Sequence, residues 1–307
     1  VDEILKRINA DIVGISIDAL SLDSFDSIIK YSKSIGAFTV VGGHLSTALS
    51  DVLLVNNPYL DSIITYDGEN GLLALIQAIE NQTSLSKVPN LIWKSGNKIN
   101  RNNVYDSDLN LVPPLERNVG GLNINQYVNN FQYTKKEQAL DLPYNRPTNA
   151  YSHKGCIFRK NGNGCSFCSR VDKTFRLRAA DKIYAEYLLL QDQYAIDYIS
   201  DFSDSWIYTP FLKQFAQQYE IHGKLQTKLR VYGDVRLITK DNIQLMKQVG
   251  VDTVLLGIES GDERVLKQNG KPLKITEILK TIELLAKCNI RISDAYVLGL
   301  IGETQDS

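Results

Sequence analysis

Short apolar runs alternate with amphipathic segments along most of the chain, and this alternation restricts its fold more than any other feature. In the first third, strand-like runs at 11–17, 38–43 and 61–69 are separated by helical patterns. Strands that alternate with helices form parallel sheets covered by those helices. The pattern therefore predicts an α/β fold, in which ligands bind at the carboxyl ends of the strands.

The alternation falls into two parts joined by a less regular stretch. Residues 1–87 are interpreted as a Rossmann-like domain, and residues 88–148 as a hairpin followed by a proline-punctuated connector. Residues 149–307 predict a second parallel sheet, part of a (β/α) barrel. We expect a first strand before Val1 and a last barrel strand after Ser307.

Composition narrows the class of protein. The chain has 307 residues, a net charge of -1 and 43% hydrophobic residues. The near-zero charge gives no electrostatic reason to expect binding to nucleic acid or to a membrane surface, and no apolar run approaches the ~20 residues of a membrane span. Four cysteines in a chain of this length do not make a disulfide framework, so we expect a cytoplasmic protein.

Three of the four cysteines, Cys156, Cys165 and Cys168, lie in one glycine-rich, basic loop. Three thiolates from one loop predict a metal or cluster site. A [4Fe–4S] cluster normally takes four thiolates, so three would leave one iron open, at the catalytic mouth of the predicted barrel. A structural zinc site that adds His153 is the alternative. Cys288 lies on the apolar face of a helical pattern and is expected in the core.

The cysteine loop resembles that of the cobalamin-binding radical S-adenosylmethionine enzymes, the class B methylase-like group. In that family the loop is Cys-x₃-Cys-x₂-Cys with an aromatic residue before the last cysteine. Here the spacing is Cys156-x₈-Cys165-x₂-Cys168, with Phe167 in the aromatic place. The last spacing matches, and the first is longer by five residues, which would have to loop out.

Further segments resemble the same family in the same order. They are "SDSW" with Asp204, "GDVRL" with Arg236, "GIESGDERVLKQNGK" with Glu259, and "YVLGLIGET" near the end. The N-terminal third resembles the family's cobalamin-binding domain at "ADIVGISI", "VVGGHLSTAL" and "YDGE". The family's Asp-x-His-x-x-Gly loop, which in some members supplies the lower ligand of cobalt, does not occur in this sequence.

The resemblance implies a radical enzyme, with a methyltransferase reaction. The three loop cysteines would hold a [4Fe–4S] cluster whose open iron binds S-adenosylmethionine, and reductive cleavage would give a 5′-deoxyadenosyl radical that removes a substrate hydrogen. Cobalamin would then deliver a methyl group. The implied contacts with S-adenosylmethionine are Phe167, Asp204, Arg236 and Glu259, and those with cobalamin are Ser16, Gly42, Gly43 and Glu69. The implied partners are an unknown small-molecule or peptide substrate and an electron donor such as flavodoxin or ferredoxin.

Other interpretations stay open. The chain could catalyse a radical reaction of another type (cyclase, oxidase or methylthio-transfer) without cobalamin, or could be a zinc- or cobalamin-binding module. Arg236 and Glu259 could form a structural pair between strands, and Gly42-Gly43 could only turn the chain. The interpretation as a cobalamin-dependent radical enzyme predicts that Asp204, Arg236 and Glu259 share a cleft with the cysteine loop. It also predicts that the first sheet directs its strand ends toward that cleft.

Overall fold

The computed structural model describes residues 9–18, 21–138, 142–159, 164–172, 174–305 and 307. The chain forms two compact units. The first comprises Val1–Asp108 with Ser169–Val171, and the second comprises Leu109–Cys168 with Asp172–Ser307. Both are α/β units built on a five-stranded sheet, as the alternating pattern predicts.

The first unit is built on a mixed sheet whose spatial order is the same as its chain order. Strands β1, β2 and β3 are parallel, and β4 and β5 extend the sheet as an antiparallel hairpin. The strands are β1 (Ile12–Ser16), β2 (Phe38–Gly42), β3 (Ser62–Ile64), β4 (Leu91–Ser95) and β5 (Lys98–Arg101). The helices are α1 (Leu22–Ser34), α2 (His44–Ala48), α3 (Ser50–Asn56) and α4 (Glu69–Glu80), and a 3₁₀ turn covers Leu85–Lys87.

Apolar residues on both faces of this sheet explain why it is covered on both sides. Val41 and Ile63 belong to one buried cluster, and Val40 and Ile64 belong to the other. Successive side chains of a strand point to opposite faces, so each strand supplies both clusters. The hairpin predicted within residues 88–148 does not lie between two domains but belongs to the first sheet, because buried Leu91 and Ile92 of β4 pair with β3.

The second unit contains a parallel sheet of five strands in the order β6-β9-β10-β11-β12. Each strand of this sheet lies beside the strand that follows it in the chain, once the separate pair β7–β8 is left out. This order is typical of a (β/α) barrel rather than of a doubly wound sheet. The sheet strands are β6 (Pro147–Ala150), β9 (Tyr198–Asp201), β10 (Lys228–Gly233), β11 (Val251–Glu259) and β12 (Arg291–Tyr296). The separate ladder pairs β7 (His153–Lys154) with β8 (Arg176–Leu177).

Helices packed around this sheet form the largest core of the protein. They are α5 (Ile124–Glu137), α6 (Ala180–Tyr194), α7 (Thr209–His222), α8 (Lys240–Gln248), α9 (Glu263–Gln268) and α10 (Ile275–Lys287), and a 3₁₀ turn covers Val235–Leu237. The unit begins before residue 149 because Ile124 and Val128 of α5 pack into this core. Cys288 packs against the same core, as the apolar pattern predicts.

One face of the second sheet packs into this helical core, and the other face lines cavities. On β10, Leu229 and Val231 are fully buried in the helix-facing core, while Arg230 and Tyr232 line cavities on the other face. No helix in the described part of the chain is both long enough and apolar enough to cross a bilayer.

Candidate functional site

All three loop cysteines line one cavity of about 280 Å³ in the second unit. The opposite wall is formed by the carboxyl ends of β10 and β11, and Phe167, Asp204, Arg236 and Glu259 also line this cavity, which we call the cysteine cavity. Carboxyl ends of neighbouring parallel strands meet at one edge of a sheet, and this explains why residues distant in sequence converge here.

The first part of the cysteine loop is held by the segment that follows β9. The hydroxyl oxygen of Ser203 accepts hydrogen bonds from the backbone nitrogens of Ser152 (2.9 Å) and His153 (3.0 Å). The hydroxyl oxygen of Ser205 accepts one from the backbone nitrogen of Ile157 (3.2 Å). Asp204 stands between these two serines, so the bonds that fix the loop also set Asp204 at the cavity wall.

The second part of the loop is held by the residues after α9. Ser166 donates to Asn269 twice, from its backbone nitrogen to the carbonyl oxygen (3.0 Å) and from its hydroxyl to Oδ1 (2.6 Å). A Cβ at Gly270 would lie 2.9 Å from the carbonyl oxygen of Gly164, and the φ of +77° at Gly270 is left-handed. Glycine therefore suits this position on both counts. Residues 160–163, within the long spacing of the cysteine motif, lie outside the described residues.

A buried lysine joins two carboxylates at the cavity wall. Lys271 Nζ lies 2.8 Å from Glu259 Oε1 and 3.8 Å from Asp234 Oδ2, and it donates to the carbonyl oxygen of Gly257 at 2.9 Å. The side chains of Lys271 and Glu259 are 6% and 12% exposed, so the charges are mostly withdrawn from water. Glu259 has a left-handed φ of +70°, and the β11–β12 register shifts between Gly257 and Glu259. A strained backbone at a cavity is typical of a functional position.

Arg236 forms a second, two-pronged ion pair. Its Nε donates to Asp234 Oδ1 and its Nη2 to Asp234 Oδ2, each at 2.7 Å, and its guanidinium carbon lies 3.4 Å from the centre of the Phe158 ring. Burial alone would raise the pKa of Asp234, but the hydrogen bonds from Arg236 and the charge of Lys271 outweigh it, so the pKa is lowered. Asp234 is therefore a fixed negative charge that orients both cations.

The electrostatics of the cavity affect the cysteines directly. Burial raises the pKa of Cys165, while the positive charges of Lys271 and Arg236 oppose the rise. All four cysteines of the chain are free thiols. A thiolate donor set beside two cations suits an anionic, thiolate-bound group, because the cations offset the charge that the thiolates bring.

The sequence prediction that Asp204, Arg236 and Glu259 share a cleft with the cysteine loop agrees with this placement, although their contact with S-adenosylmethionine stays a prediction. The suggested strand-bracing pair is not what the structure contains, because Arg236 pairs with Asp234 and Glu259 with Lys271. Sequence reasoning missed Asp234 and Lys271. Both lie within segments that resemble the family, Asp234 in "GDVRL" and Lys271 at the end of "GIESGDERVLKQNGK". Their position in the same segments as Arg236 and Glu259 could have identified them.

His153 packs in an aromatic cluster and does not line the cysteine cavity. Its ring centre is 5.4 Å from that of Phe175 and 5.7 Å from that of Phe211, and its Nδ1 is 2.9 Å from the hydroxyl of Ser152. Burial lowers the pKa of His153 from 6.5 to about 3, so the ring is neutral at physiological pH. In the part of the chain that the structure describes, no three His, Cys, Asp or Glu residues are grouped to hold a single metal ion. This arrangement offers no Cys₃His zinc site.

A four-iron cluster makes a different demand on the loop. Its thiolates bind different irons and need not converge on one point. Cys156, Cys165 and Cys168 around a single cavity therefore fit the donor set of such a cluster, whereas Cys288 packs in the core.

The residues proposed for cobalamin lie at one edge of the first sheet. Ser16 and Gly42 are register partners at the ends of β1 and β2, and Glu69 begins α4 after β3. A Cβ at Gly43 would lie 3.0 Å from the carbonyl oxygen of Ile17 and 3.2 Å from the hydroxyl of Ser16. Packing within the unit thus already requires glycine at position 43, where φ is +105°. A role for these four residues in cobalamin binding stays a prediction.

Comparison with known proteins adds three findings. Residues 153–307 match the family model of the radical SAM superfamily. An uncharacterised methyltransferase of Pyrococcus horikoshii is 23% identical over 99% of this chain and 63% of its own length. The anaerobic magnesium-protoporphyrin IX monomethyl ester cyclase of Rubrivivax gelatinosus is 22% identical over 100% of this chain and 54% of its own length.

A solved structure shares the fold over nearly the whole chain. It is the radical S-adenosylmethionine methyltransferase TsrM from Kitasatospora setae, with cobalamin and a [4Fe–4S] cluster bound. The TM-score is 0.77 at 15% identity, over 99% of this chain and 62% of TsrM. The chain thus spans between 54% and 63% of the length of these three proteins.

Proposed function

Because the chain belongs to the radical SAM superfamily, we propose that Cys156, Cys165 and Cys168 bind a [4Fe–4S] cluster and that the protein cleaves S-adenosylmethionine reductively. The observation that carries the proposal is the single cavity that holds all three thiols beside Asp204, Arg236 and Glu259. When bound, the cluster supplies the electron for cleavage of the sulfonium, which starts radical chemistry on a substrate.

The cavity side chains have chemistry that suits the amino-acid end of S-adenosylmethionine. Lys271 bonds Oε1 of Glu259, so Oε2 is available to accept a hydrogen bond from an ammonium group. The carboxylate of Asp204 lines the same cavity. Arg236 spends two donors on Asp234 and keeps others for a carboxylate. Phe167 offers an apolar face on which the adenine could pack.

The reaction that we favour is methyl transfer with cobalamin as a second cofactor. Its support is the methyltransferase relative and the fold shared with TsrM, a methyltransferase solved with cobalamin. Ser16, Gly42, Gly43 and Glu69 lie at the sheet edge where open α/β sheets bind ligands. The electron donor would be a flavodoxin or ferredoxin, and the substrate a small molecule or a peptide.

Variants of the loop test the cluster. Cys156→Ala, Cys165→Ala and Cys168→Ala should each lower the iron bound after anaerobic reconstitution and abolish formation of 5′-deoxyadenosine. Cys288→Ala is the matched control and should do neither, because Cys288 packs in the core. Full reductive cleavage by any one of the three loop variants would contradict the assignment.

A radical reaction of another type has separate support, because the cyclase of Rubrivivax gelatinosus matches 100% of this chain. Titration with hydroxocobalamin separates the two. A corrin absorption band that stays with the protein after gel filtration supports the methyltransferase. No binding at tens of micromolar, with S-adenosylmethionine cleavage intact, would favour a radical reaction without cobalamin.

A further inference from the structure

A second cavity, of about 710 Å³, adjoins the cysteine cavity within the second unit. On β10, Arg230 lines this second cavity and Tyr232 lines the cysteine cavity, so the two are separated by two residues, about 7 Å along the strand. Phe202 of the second cavity and Tyr232 have ring centres 5.7 Å apart, and this pair stands between the two spaces. We call the larger space the lumen cavity. A ligand there would lie next to the proposed radical chemistry.

Aromatic rings make up much of the wall of the lumen cavity. The rings of Tyr144 and Tyr198 stack at 3.6 Å, and Phe131 stacks on the other side of Tyr144 at 5.9 Å. At the mouth, the apolar side chains Leu115, Val119 and Leu122 are 65%, 63% and 52% exposed. The volume lies in the range of small-molecule sites, and flat apolar walls suit a flat apolar ligand.

Two arginines add positive charge to this apolar wall. Arg230 uses one donor, to the hydroxyl of Ser200 at 3.2 Å, and Arg117 donates to the carbonyl oxygen of Asn149 at 2.6 Å. Among the residues that the structure describes, neither guanidinium forms an ion pair, and the Nε of Arg117 is buried without a hydrogen-bond partner. The negative charge of Glu186 acts on Arg117, but Glu186 forms its own ion pair with Arg178. Asn149, Ser200 and Arg230 are register partners on three adjacent strands, a span of about 10 Å. One ligand can therefore reach both cations.

The carboxylate on this wall is already engaged. Glu116 Oε1 accepts hydrogen bonds from the hydroxyl of Tyr194 (2.9 Å) and the backbone nitrogen of Asn118 (2.8 Å). These bonds lower the pKa of Glu116, with the bond from Asn118 contributing most. Glu116 therefore stays ionised, but its hydrogen bonds go to Asn118 and Tyr194. Arg117 and Arg230 do not donate to it and keep donors that an anion could use.

We propose that the lumen cavity binds the substrate, and that the substrate carries an anionic group, a carboxylate or phosphate, on a flat apolar body. Arg117 and Arg230 bind the anionic group, and the aromatic wall around Tyr198 and Phe202 contacts the body. That this ligand is the substrate rests on the proposed function. Its binding does not depend on the cluster, because none of the three loop cysteines lines the lumen cavity.

The test measures binding of 2-naphthoate to the full chain by isothermal titration calorimetry, before and after cluster reconstitution. The neutral twin 2-naphthamide has the same ring system without the charge. We expect 2-naphthoate to bind about tenfold more tightly than the amide, because charge-assisted hydrogen bonds to two arginines separate the two probes. A parallel titration with 2-naphthyl phosphate tells a phosphate preference from a carboxylate preference.

Substitutions assign the effect to the two arginines. Arg230→Gln and Arg117→Gln should each weaken naphthoate binding about tenfold and leave amide binding within about twofold. Arg230→Lys should restore part of the affinity, which separates a lost charge from a misfolded variant. Lys213→Gln on the exposed face of α7 removes the same charge and should change nothing. Equal affinity for the two probes, no measurable naphthoate binding, or unchanged naphthoate binding in both arginine variants would overturn the proposal.

The two proposals fail separately. Cys165→Ala should lose iron and keep wild-type affinity for 2-naphthoate. If the loop variants keep full cleavage activity while naphthoate binding depends on the arginines, the cluster assignment is wrong and the anion site stands. If the loop variants behave as expected and the probes do not discriminate, the anion site is wrong and the cluster assignment stands.

Discussion

Gly257→Ala should break the buried ion pair of the cysteine cavity without touching either charged residue. A Cβ at position 257 would lie 2.4 Å from Glu259 Oε1 and 2.8 Å from Lys271 Nζ, so both side chains must move. The movement would remove one or both hydrogen bonds of Lys271, to Gly257 O and to Glu259. Charged hydrogen bonds contribute about 1.5–3 kcal/mol each, so we expect the free energy of unfolding to fall by about 1.5–3 kcal/mol for one lost bond and by up to about 6 kcal/mol for two.

The same sequence segment contains the matched control. Gly261 has no atom within 4 Å of the position of a Cβ and no left-handed φ, so Gly261→Ala should change stability by no more than about 0.5 kcal/mol. The two tryptophans of the chain are Trp93, in the first unit, and Trp206, which is fully buried in the second. In a Trp93→Phe background, the fluorescence of Trp206 during urea unfolding reports on the second unit alone.

A mutant cycle ties the loss to the lysine. Lys271→Met removes one of the two atoms that a Cβ at position 257 would meet, so adding Gly257→Ala to that variant should cost less than in the wild type. Gly257→Ala as stable as Gly261→Ala, or a fully additive double variant, would refute the idea that this glycine makes room for the ion pair.

Two further predictions concern protonation. The pKa of His153 is about 3 in the fold against 6.5 unfolded, so the unfolded chain gains the proton first and stability falls as pH drops from 6.5 toward 3. At 1.4 kcal/mol per pH unit, urea titrations should show a loss of about 2 kcal/mol between pH 7 and pH 5 that His153→Phe lacks, and equal pH dependence would contradict this. Lys271→Met removes a charge that holds down the pKa of Cys165, so iodoacetamide should alkylate Cys165 more slowly at pH 8 than in the control Lys267→Met. Alkylation at the control rate would show that Lys271 does not tune this thiol.

The part of the fold that the sequence predicts follows from periodicity. Alternating strands and helices predict parallel sheets, and parallel sheets bring strand ends to one edge. The resemblance to family segments picks out Asp204, Arg236 and Glu259, and their positions at strand ends predict that they lie near the cysteine loop. The hairpin β4–β5 could not be assigned to the first sheet in the same way. The hairpin pairs with β3, which lies about 30 residues earlier in the chain, and the pairing depends on the burial of Leu91 and Ile92. Local sequence patterns do not specify such a pairing.

Lys271 illustrates what periodicity cannot predict in the site. It follows a short helix, and its long side chain reaches back to β11 through space that exists only because position 257 has no side chain. A lysine after a glycine is ordinarily a solvated residue, whereas this one is 6% exposed. The match of three partners, Gly257, Glu259 and Asp234, is a property of the tertiary structure.

The attachment of the cysteine loop to Asn269 has a consequence for the order of events during synthesis. Ser166 and Asn269 are 103 residues apart, and Asn269 is itself bonded to the backbone of Ile301 through both its amide nitrogen and its amide oxygen. A ribosome makes residue 301 more than one hundred residues after the last cysteine of the loop. Until then the cysteine loop lacks the hydrogen bonds through Asn269. Closing so long a loop is a late step with a large cost in chain entropy. The three thiols of the nascent chain therefore lack these supports for the whole of that interval, and the cysteine cavity is completed only after Ile301 has been synthesised.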